Sequence, residues 1–354
     1  MFNHPSFDAH ERVVFVHDAS SGLRAIIALH STVRGPGAGG CRFWHYESPD
    51  DALTDALRLS RGMSYKNAMA DLPLGGGKAV VLLDKSHSKT PELLRAFGRF
   101  VHSLGGAYIT AEDVGASVAD MEIVASETPY VSGLPRTAVS ADGNPAPKTA
   151  FGVYLGLKAA VEFQLGRTEL RGLTVAVQGV GGVGYELCKL LAADGANLLV
   201  ADVFTDRVER AVRELGARAV DSARILEEQA DVVAPCALGA VLNATTIARL
   251  KTKVIAGAAN NQLATPEDGA RLFEAGILYA PDYVINAGGI ISVGREYLGG
   301  ATAESIDREI RKIPERLLMI FERSRRERRP TSDIADEMAR DRIGRARLVT
   351  RAEW

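Results

Sequence analysis

Cysteine is scarce in this chain: three residues in 354, Cys41, Cys188 and Cys236, an odd and widely scattered set. That spacing speaks against a disulfide framework and against clustered metal ligands, so no metal is expected and a reducing cytoplasm is the expected compartment. An excess of one charge is also lacking. The formal net charge is -2, which provides no long-range attraction to polyanions, and nucleic acid is not an expected partner. No apolar run approaches membrane-spanning length, and the opening MFNHPSFDAHERVVF has charges and a proline where a signal peptide needs an unbroken apolar stretch. Neither a membrane nor secretion is expected. Internal repeats and low-complexity tracts are absent.

What is present fits a globular protein: 46% hydrophobic and 24% charged residues, over a length that accommodates two domains with separate cores. The first part mixes strand-like segments (25–29, 79–83, 107–110) with helical ones (50–62, 91–104), an α/β pattern. Between Gly133 and Pro147 the chain is dense in Pro, Gly, Ser and Asp, and the interdomain crossing is expected there. A helix is then expected over 149–166, followed by alternating strands and helices to about residue 300. Residues 1–133 thus read as a first α/β domain and 148–320 as a second, doubly wound one. Residues 321–354 are helical and arginine-rich, interleaved with Glu and apolar residues, and are expected to pack back on the first domain with a solvated face.

The strongest single motif is Gly179-Val180-Gly181-Gly182-Val183-Gly184, a G-x-G-x-x-G run directly after the apolar segment 173–178 and directly before the helical pattern 185–193. In that context the first glycine makes the tight turn, the second admits a pyrophosphate to the backbone, and the third packs helix on strand. The phosphates then meet a helix N-terminus. A second strand, 196–201, ends at Asp202, 23 residues after Gly179 and near the ~20 expected of an acid that binds the ribose 2′-hydroxyl. NAD is therefore expected over NADP. Arg207 would accommodate a 2′-phosphate, but Asp202 would repel one.

Upstream, Lys66 and Lys78 are spaced twelve apart, and Lys78 closes the run Leu74-Gly75-Gly76-Gly77-Lys78. A P-loop is excluded, because the position five before Gly77 is Leu72 and the residue after the lysine is Ala79. Glycines before a lysine let backbone and substrate approach it closely. Each residue also has a plainer role: a lone lysine snorkels at the surface, Asp113 caps the helix that follows it, and Asn260 sits in a turn.

Taken together, GPGAGGCRFW (35–44), MSYKNAMADLPLGGGKAVV (63–81), YITAEDVG (108–115), GAANNQL (257–263) and GILYAPDYVINAGG (276–289) resemble the glutamate/leucine/phenylalanine/valine dehydrogenase family, specifically its branch acting on apolar amino acids. The resemblance runs collinearly from about residue 10 to residue 300. It implies that Lys66 holds the substrate α-carboxylate, helped by Gly39, Gly40, Met63 and Asn260. Lys78 would be the catalytic base that activates water, with burial and the Lys66 cation favouring its uncharged form. Asp113 would carry the proton of the amino group, with neighbouring Glu112 turned away. Ala38, Ala111, Ile290 and Val293 would line an apolar side-chain pocket, and no cation is evident there to receive a second carboxylate.

The resemblance also implies cofactor contacts at Thr149, Cys236, Ala237, Ala258 and Asn286. Cys236 is not expected to act as a nucleophile. By the same resemblance residues 1–133 would be the substrate-binding and oligomerisation domain and 148–320 the Rossmann-type NAD-binding domain, with the active site in an interdomain cleft that closes before hydride transfer, in a dimer or octamer. Substrates would be an apolar L-amino acid and its 2-oxo acid with ammonia. Leucine-type substrates are favoured, and Ala38 leaves room for phenylalanine or tryptophan. A non-catalytic NAD-binding regulatory protein is the alternative from another class. A 2-hydroxy acid dehydrogenase would need a histidine base near an arginine, yet all seven histidines fall within the first 102 residues, outside any such motif.

Overall fold

In the computed structural model, residues 2–83, 89–134, 144–299 and 301–344 are described. They fall into two compact units, the first made of Met1–Gly143, Val293–Ala301 and Ala339–Trp354, the second of Asn144–Ser292 and Thr302–Met338. Most of the expected interdomain crossing, 135–143, and the last ten positions, 345–354, lie outside the described residues.

The first unit holds a mixed sheet of β1 (Arg12–Asp18), β2 (Leu23–Ser31), β3 (Gly37–Ala38), β4 (Cys41–Trp44), β5 (Gly75–Leu82) and β6 (Tyr108–Ile109). Its order is β1-β2-β5-β3-β6, with β4 also paired to β5. Alternation along β2 and β5 divides the core between two faces. Ile26, Ala28 and Val80 face α1 (Pro49–Met69) and its Ala52, Ala56 and Leu57. Ile27, Leu29, Ala79 and Val81 pack with α2 (Pro91–Ser103) and α3 (Val118–Ala125) through Leu93, Phe97, Met121 and Val124.

Helix α1 starts at a capping box between Ser48 and Asp51 and runs well past the expected end at Gly62. A side chain at Gly62 would meet nothing within 4 Å, so this glycine lies on the open side of the helix. Buried Tyr65, Ala68 and Met69 carry the helix onward. Strand β5 begins at Gly75, four positions before the expected 79. The glycine run is buried, and its missing side chains are replaced by protein. A Cβ on Gly76 would stand 2.2 Å from Ser64 N and Oγ, and one on Gly77 would stand 2.7 Å from the Tyr108 ring. The glycines therefore bring α1 and Tyr108 onto the strand rather than opening space for a small molecule.

A buried polar cluster ties the chain's beginning to this unit. His30 Nδ1 lies 2.8 Å from Ser64 Oγ, and His30 Nε2 lies 3.4 Å from Asp8 Oδ2. The Asp8 carboxyl is held down at about 2, first by its hydrogen bond to His30 and, against the opposing effect of burial, by the charges of His30, Arg61 and Arg340. A carboxyl depressed in the folded state adds stability above its unfolded value of ~3.9, and that stability is lost as pH falls through about 2. Asp8→Asn should accordingly lower stability at neutral pH by on the order of 1 kcal/mol, allowing for solvent screening, and flatten the acid side of a Tm-against-pH curve. An unchanged Tm at pH 7 in calorimetry would contradict this.

The second unit carries an all-parallel sheet of β7 (Thr174–Gln178), β8 (Asn197–Ala201), β9 (Arg218–Ala219), β10 (Val232–Pro235), β11 (Val254–Ile255) and β12 (Leu278–Tyr279). Its order, β12-β11-β10-β7-β8-β9, is the doubly wound arrangement, with the order reversing between β7 and β10. Helix α4 (Ala146–Leu165) begins three residues before the expected 149, on a proline in its first turn. Helices α5 (Gly182–Ala193) and α6 (Thr205–Leu215) follow β7 and β8.

The C-terminal region divides between the units. The helix Ile313–Glu327 packs on α4, where Gly152 and Gly156 receive Ile313 and Leu317, so residues 321–338 belong to the second unit. From Ala339 onward the chain belongs to the first unit, where Arg340 Nε donates to Tyr65 OH at 2.8 Å and Arg342 donates to the Ala68 carbonyl at 3.2 Å. No helix among the described residues is long and apolar enough to cross a membrane.

Candidate active site

Strand register gathers the reactive side chains of the first unit. Cys41 of β4 pairs with Ala79 of β5 and bridges to Glu112, so the residues next to each of these, Arg42, Lys78 and Asp113, share one sheet face. That face is the one α1 covers. Lys78 is only 5% exposed, and its Nζ lies 2.8 Å from Asp113 Oδ2. Arg42 Nε donates to the same oxygen at 3.1 Å. Burial works to raise the Asp113 carboxyl, but the Lys78 and Arg42 charges outweigh it and hold the group below its usual range. Glu112 is exposed and has no part in these contacts.

Gly39, Gly40 and Met63 border this pair. A Cβ on Gly39 would stand 2.0 Å from the Gly77 carbonyl and 3.0 Å from Met63 Cγ, and one on Gly40 would stand 2.9 Å from Asp113 Cβ. Lys66 is half-buried in the last turn of α1, three residues after Met63 and so on the same helical face. Ala38 is buried and pairs with Gly76 and Ile109, while half-buried Ala111 accepts a hydrogen bond from Cys41 N at 2.8 Å. Val293 belongs to this unit and lies near Gly133.

The second unit assembles the other residues along the C-terminal ends of its strands. Gly179 leaves β7 at φ +93°, a conformation that favours glycine, and a Cβ there would strike Ala237 at 2.7 Å. Cys236 and Ala237, after β10, thus flank the glycine turn at the switch point. A Cβ on Gly184 would stand 2.0 Å from the Gly179 carbonyl, so this glycine packs helix on strand. At Gly181 and Gly182 the nearest atoms to such a Cβ are 3.5 Å away, on Arg207 and Ala146, and α5 has no side-chain cap. The first-turn N–H groups of α5, at Gly182, Val183 and Gly184, therefore stand beside space that an anion can enter.

Asp202 Oδ2 accepts from Val180 N at 2.8 Å and Oδ1 from Phe204 N at 3.0 Å, fixing the carboxylate beside the turn with acceptor sites to spare. Arg207 stands 3.9 Å from Asp202 and over the Phe204 ring. These features fit a dinucleotide. Asn286 Nδ2 donates to the Ala258 carbonyl at 3.0 Å and to Asn260 Oδ1 at 2.8 Å, and its own buried Oδ1 has no partner among the described residues. Thr149 Oγ1 donates to the Pro145 carbonyl at 2.9 Å and packs on Gly289. Burial pushes the Cys236 thiol up to about 12, which keeps it from serving as a nucleophile. Asn260 and Ile290 belong to this second unit, whereas Lys66, Ala38, Ala111 and Val293 belong to the first.

Sequence reasoning missed Arg42 and the groups behind it. Arg42 donates through NH1 to Asp55 Oδ2 at 2.8 Å, and Tyr46 OH donates to the same oxygen at 2.6 Å. A charged residue two positions after Gly40, in a segment otherwise apolar, was the available signal. Its partners depend on sheet register, which the chain's local pattern does not reveal.

Comparison with known proteins covers nearly the whole chain. A family model described as Glu/Leu/Phe/Val dehydrogenase, dimerisation domain, matches residues 10–130, and one described as Glutamate/Leucine/Phenylalanine/Valine dehydrogenase matches residues 200–346. A leucine dehydrogenase of Bacillus subtilis (strain 168) is 51% identical over 338 residues, covering 96% of this chain and 92% of that protein. A valine dehydrogenase of Streptomyces coelicolor is 47% identical over 348 residues, covering 97% and 95%. The crystal structure of L-tryptophan dehydrogenase from Nostoc punctiforme is similar with a TM-score of 0.83 at 44% identity, covering 95% of this chain and 96% of that one.

Proposed function

Because the chain belongs to the Glu/Leu/Phe/Val dehydrogenase family, we propose that it is an NAD-dependent L-amino acid dehydrogenase, converting an apolar amino acid, NAD and water reversibly to the 2-oxo acid, ammonia, NADH and a proton. The observation that carries this reading is the pair of buried Lys78 and half-buried Asp113 at 2.8 Å, in a protein that also holds a complete dinucleotide turn. Leucine and other branched-chain amino acids are the favoured substrates, in line with the leucine and valine dehydrogenases it resembles. A second reading, an aromatic substrate, draws on the small side chain of Ala38 and the likeness to a tryptophan dehydrogenase. Pocket differences of a methylene or two are worth only ~1–3 kcal/mol, so several of these substrates should react to some extent.

In this reading Lys66 holds the α-carboxylate as a fixed cation, and Gly39, Gly40, Met63 and Asn260 complete its seat. Asp113 accepts a proton from the substrate ammonium, which frees the nitrogen lone pair to form the iminium as hydride leaves Cα. Bound NAD supplies the hydride acceptor, held by Gly179, Gly181, Gly182, Val183, Gly184 and Asp202, with Thr149, Cys236, Ala237, Ala258 and Asn286 near its nicotinamide portion. Lys78, an ammonium beside Asp113 in the resting protein, first gives a proton to solvent, and as the amine it then takes a proton from water while the water oxygen bonds to the iminium carbon. Asp113 returns its proton to nitrogen, the C–N bond breaks, and the hydroxyl proton passes to the departing ammonia, which leaves as ammonium while the carbonyl forms. Ala38, Ala111, Ile290 and Val293 receive the side chain. Asp202 supports NAD over NADP. The dimerisation-domain description of the matching family model supports a homo-oligomer, and three free cysteines suit a reducing cytoplasm.

Initial rates of NADH formation from L-leucine, L-valine, L-phenylalanine and L-tryptophan test the proposal directly. We expect turnover with NAD, highest kcat/KM for a branched-chain substrate, and at least about tenfold weaker use of NADP because its extra phosphate meets the Asp202 charge. Absence of NADH from every one of these amino acids would overturn it.

A further inference from the structure

Two cations converge on one oxygen of Asp113. Lys78 Nζ is 2.8 Å and Arg42 Nε 3.1 Å from Oδ2, while Oδ1 has no hydrogen bond or ion pair among the described residues. Arg42 is itself held from behind: its NH1 meets Asp55 Oδ2 at 2.8 Å, and Tyr46 OH donates to that oxygen at 2.6 Å. The members come from two elements and the turn between them, with Arg42 on β4, Tyr46 just after it and Asp55 on α1. Burial, and then the hydrogen bond to Asp55, push the Tyr46 phenol upward, so it stays a donor.

Asp113 needs such support. It follows an isolated bridge at Glu112 and lies before the cap of α3, so no regular element fixes its side chain. A carboxylate whose second oxygen is pinned from two sides presents its first oxygen in one orientation. We propose that Arg42 is a positioning residue for the proton-carrying carboxylate, fixing Asp113 through Oδ2 so that Oδ1 faces the substrate amine, and that Asp55 and Tyr46 hold Arg42 in place. The inference rests on Asp113 carrying the amine proton, as proposed above. The geometry also divides the labour on one carboxylate: Oδ2 belongs to the protein and Oδ1 to the substrate.

Charge supplies a second consequence. The groups around Asp113 are Lys78 and Arg42, then Asp55 and Tyr46, with buried Cys41 and Tyr108, which burial keeps protonated. Lys78, Arg42, Asp113 and Asp55 sum to no net charge. Removing the Arg42 cation leaves an uncompensated negative charge and makes Asp113 hold a proton more tightly. Since Asp113 must be ionised to accept a proton from the substrate, the acidic limb of the deamination pH profile should move to higher pH.

The test measures kcat, amino acid KM and the pH profile for the wild type, Arg42→Met, Tyr46→Phe and Asp113→Asn, with the best substrate of the panel. Misplacement of a reacting group by an ångström costs about 10²-fold, so Arg42→Met should lower kcat by roughly that factor with KM changed less than about threefold. Its acidic limb should shift upward in pH. Tyr46→Phe, which removes one hydroxyl, should show a smaller loss with a shift of the same sign. A kcat for Arg42→Met within about threefold of wild type, a defect confined to KM, or an unmoved acidic limb would overturn the proposal. If Arg42→Met does not fold, a wild-type kcat and pH limb in Tyr46→Phe overturns it instead. Undiminished activity of Asp113→Asn would refute the role of Asp113 itself, a distinct result.

Discussion

Lys78→Met is expected to abolish amino acid turnover while leaving a folded protein that still binds NAD. A positioned acid or base contributes about 10²–10⁴-fold, and because Lys78 would act both on water and beside Asp113 we expect the upper end of that range in kcat. The methionine keeps most of the apolar stem on the buried sheet face that Lys78 shares with Ala28 of β2, so stability should fall far less than activity. Arg42 stays beside Asp113, so the carboxylate is not left without a partner. NAD binding should survive, since the glycine turn and Asp202 belong to the second unit. Steady-state kinetics and NAD titration by calorimetry measure the two effects separately. Residual kcat within tenfold of wild type would remove Lys78 from the chemistry.

The other large effect is on folding. Gly76→Ala places a Cβ 2.2 Å from both Ser64 N and Oγ and 2.4 Å from the Ser60 carbonyl. Two of these three atoms belong to backbone, and no rotamer change relieves such a clash. Overpacking typically costs ~1–3 kcal/mol, and a collision with helix backbone should reach the top of that range or beyond. A loss of ~3 kcal/mol corresponds to a Tm lowered by roughly 6–12 °C for a unit of this size. Alanine has the smallest side chain that glycine can gain, so a Tm within 2 °C of wild type by ~1 kcal/mol sensitivity would show that α1 does not press on β5 at this point.

Much of the second unit was legible because its signals are local. The strand, glycine turn and helix of 173–193 appear within a residue or three of where apolar runs and glycines place them, since each boundary is set by neighbours in the chain. The first unit was legible in class but not in detail. Gly62 reads as a helix end yet sits on an open helix face, and Gly75-Gly76-Gly77, ahead of the strand expected from 79, forms the start of that buried strand. At Gly62 packing between distant segments overrode local propensity, and at the glycine run it extended the strand beyond its apolar part.

The site residues were singled out through resemblance to a family's motifs, and what brings them together in space emerged only with the sheet register. Lys78, Arg42 and Asp113 are far apart in the chain and become neighbours because Cys41 pairs on both sides at once. The division at residue 339 was equally hidden. It depends on Ile313 and Leu317 finding pockets left by two glycines of α4, whereas Arg340 finds Tyr65.

The polypeptide passes from one unit to the other after Gly143, Ser292, Ala301 and Met338. No single cut can therefore release either half whole: a fragment ending at residue 143 would leave behind the stretch in which Gly294 abuts Leu72 and Leu74, and the tail that bears Arg340. Exchanging the second unit for another by simple end-to-end fusion would therefore sever segments that complete the first.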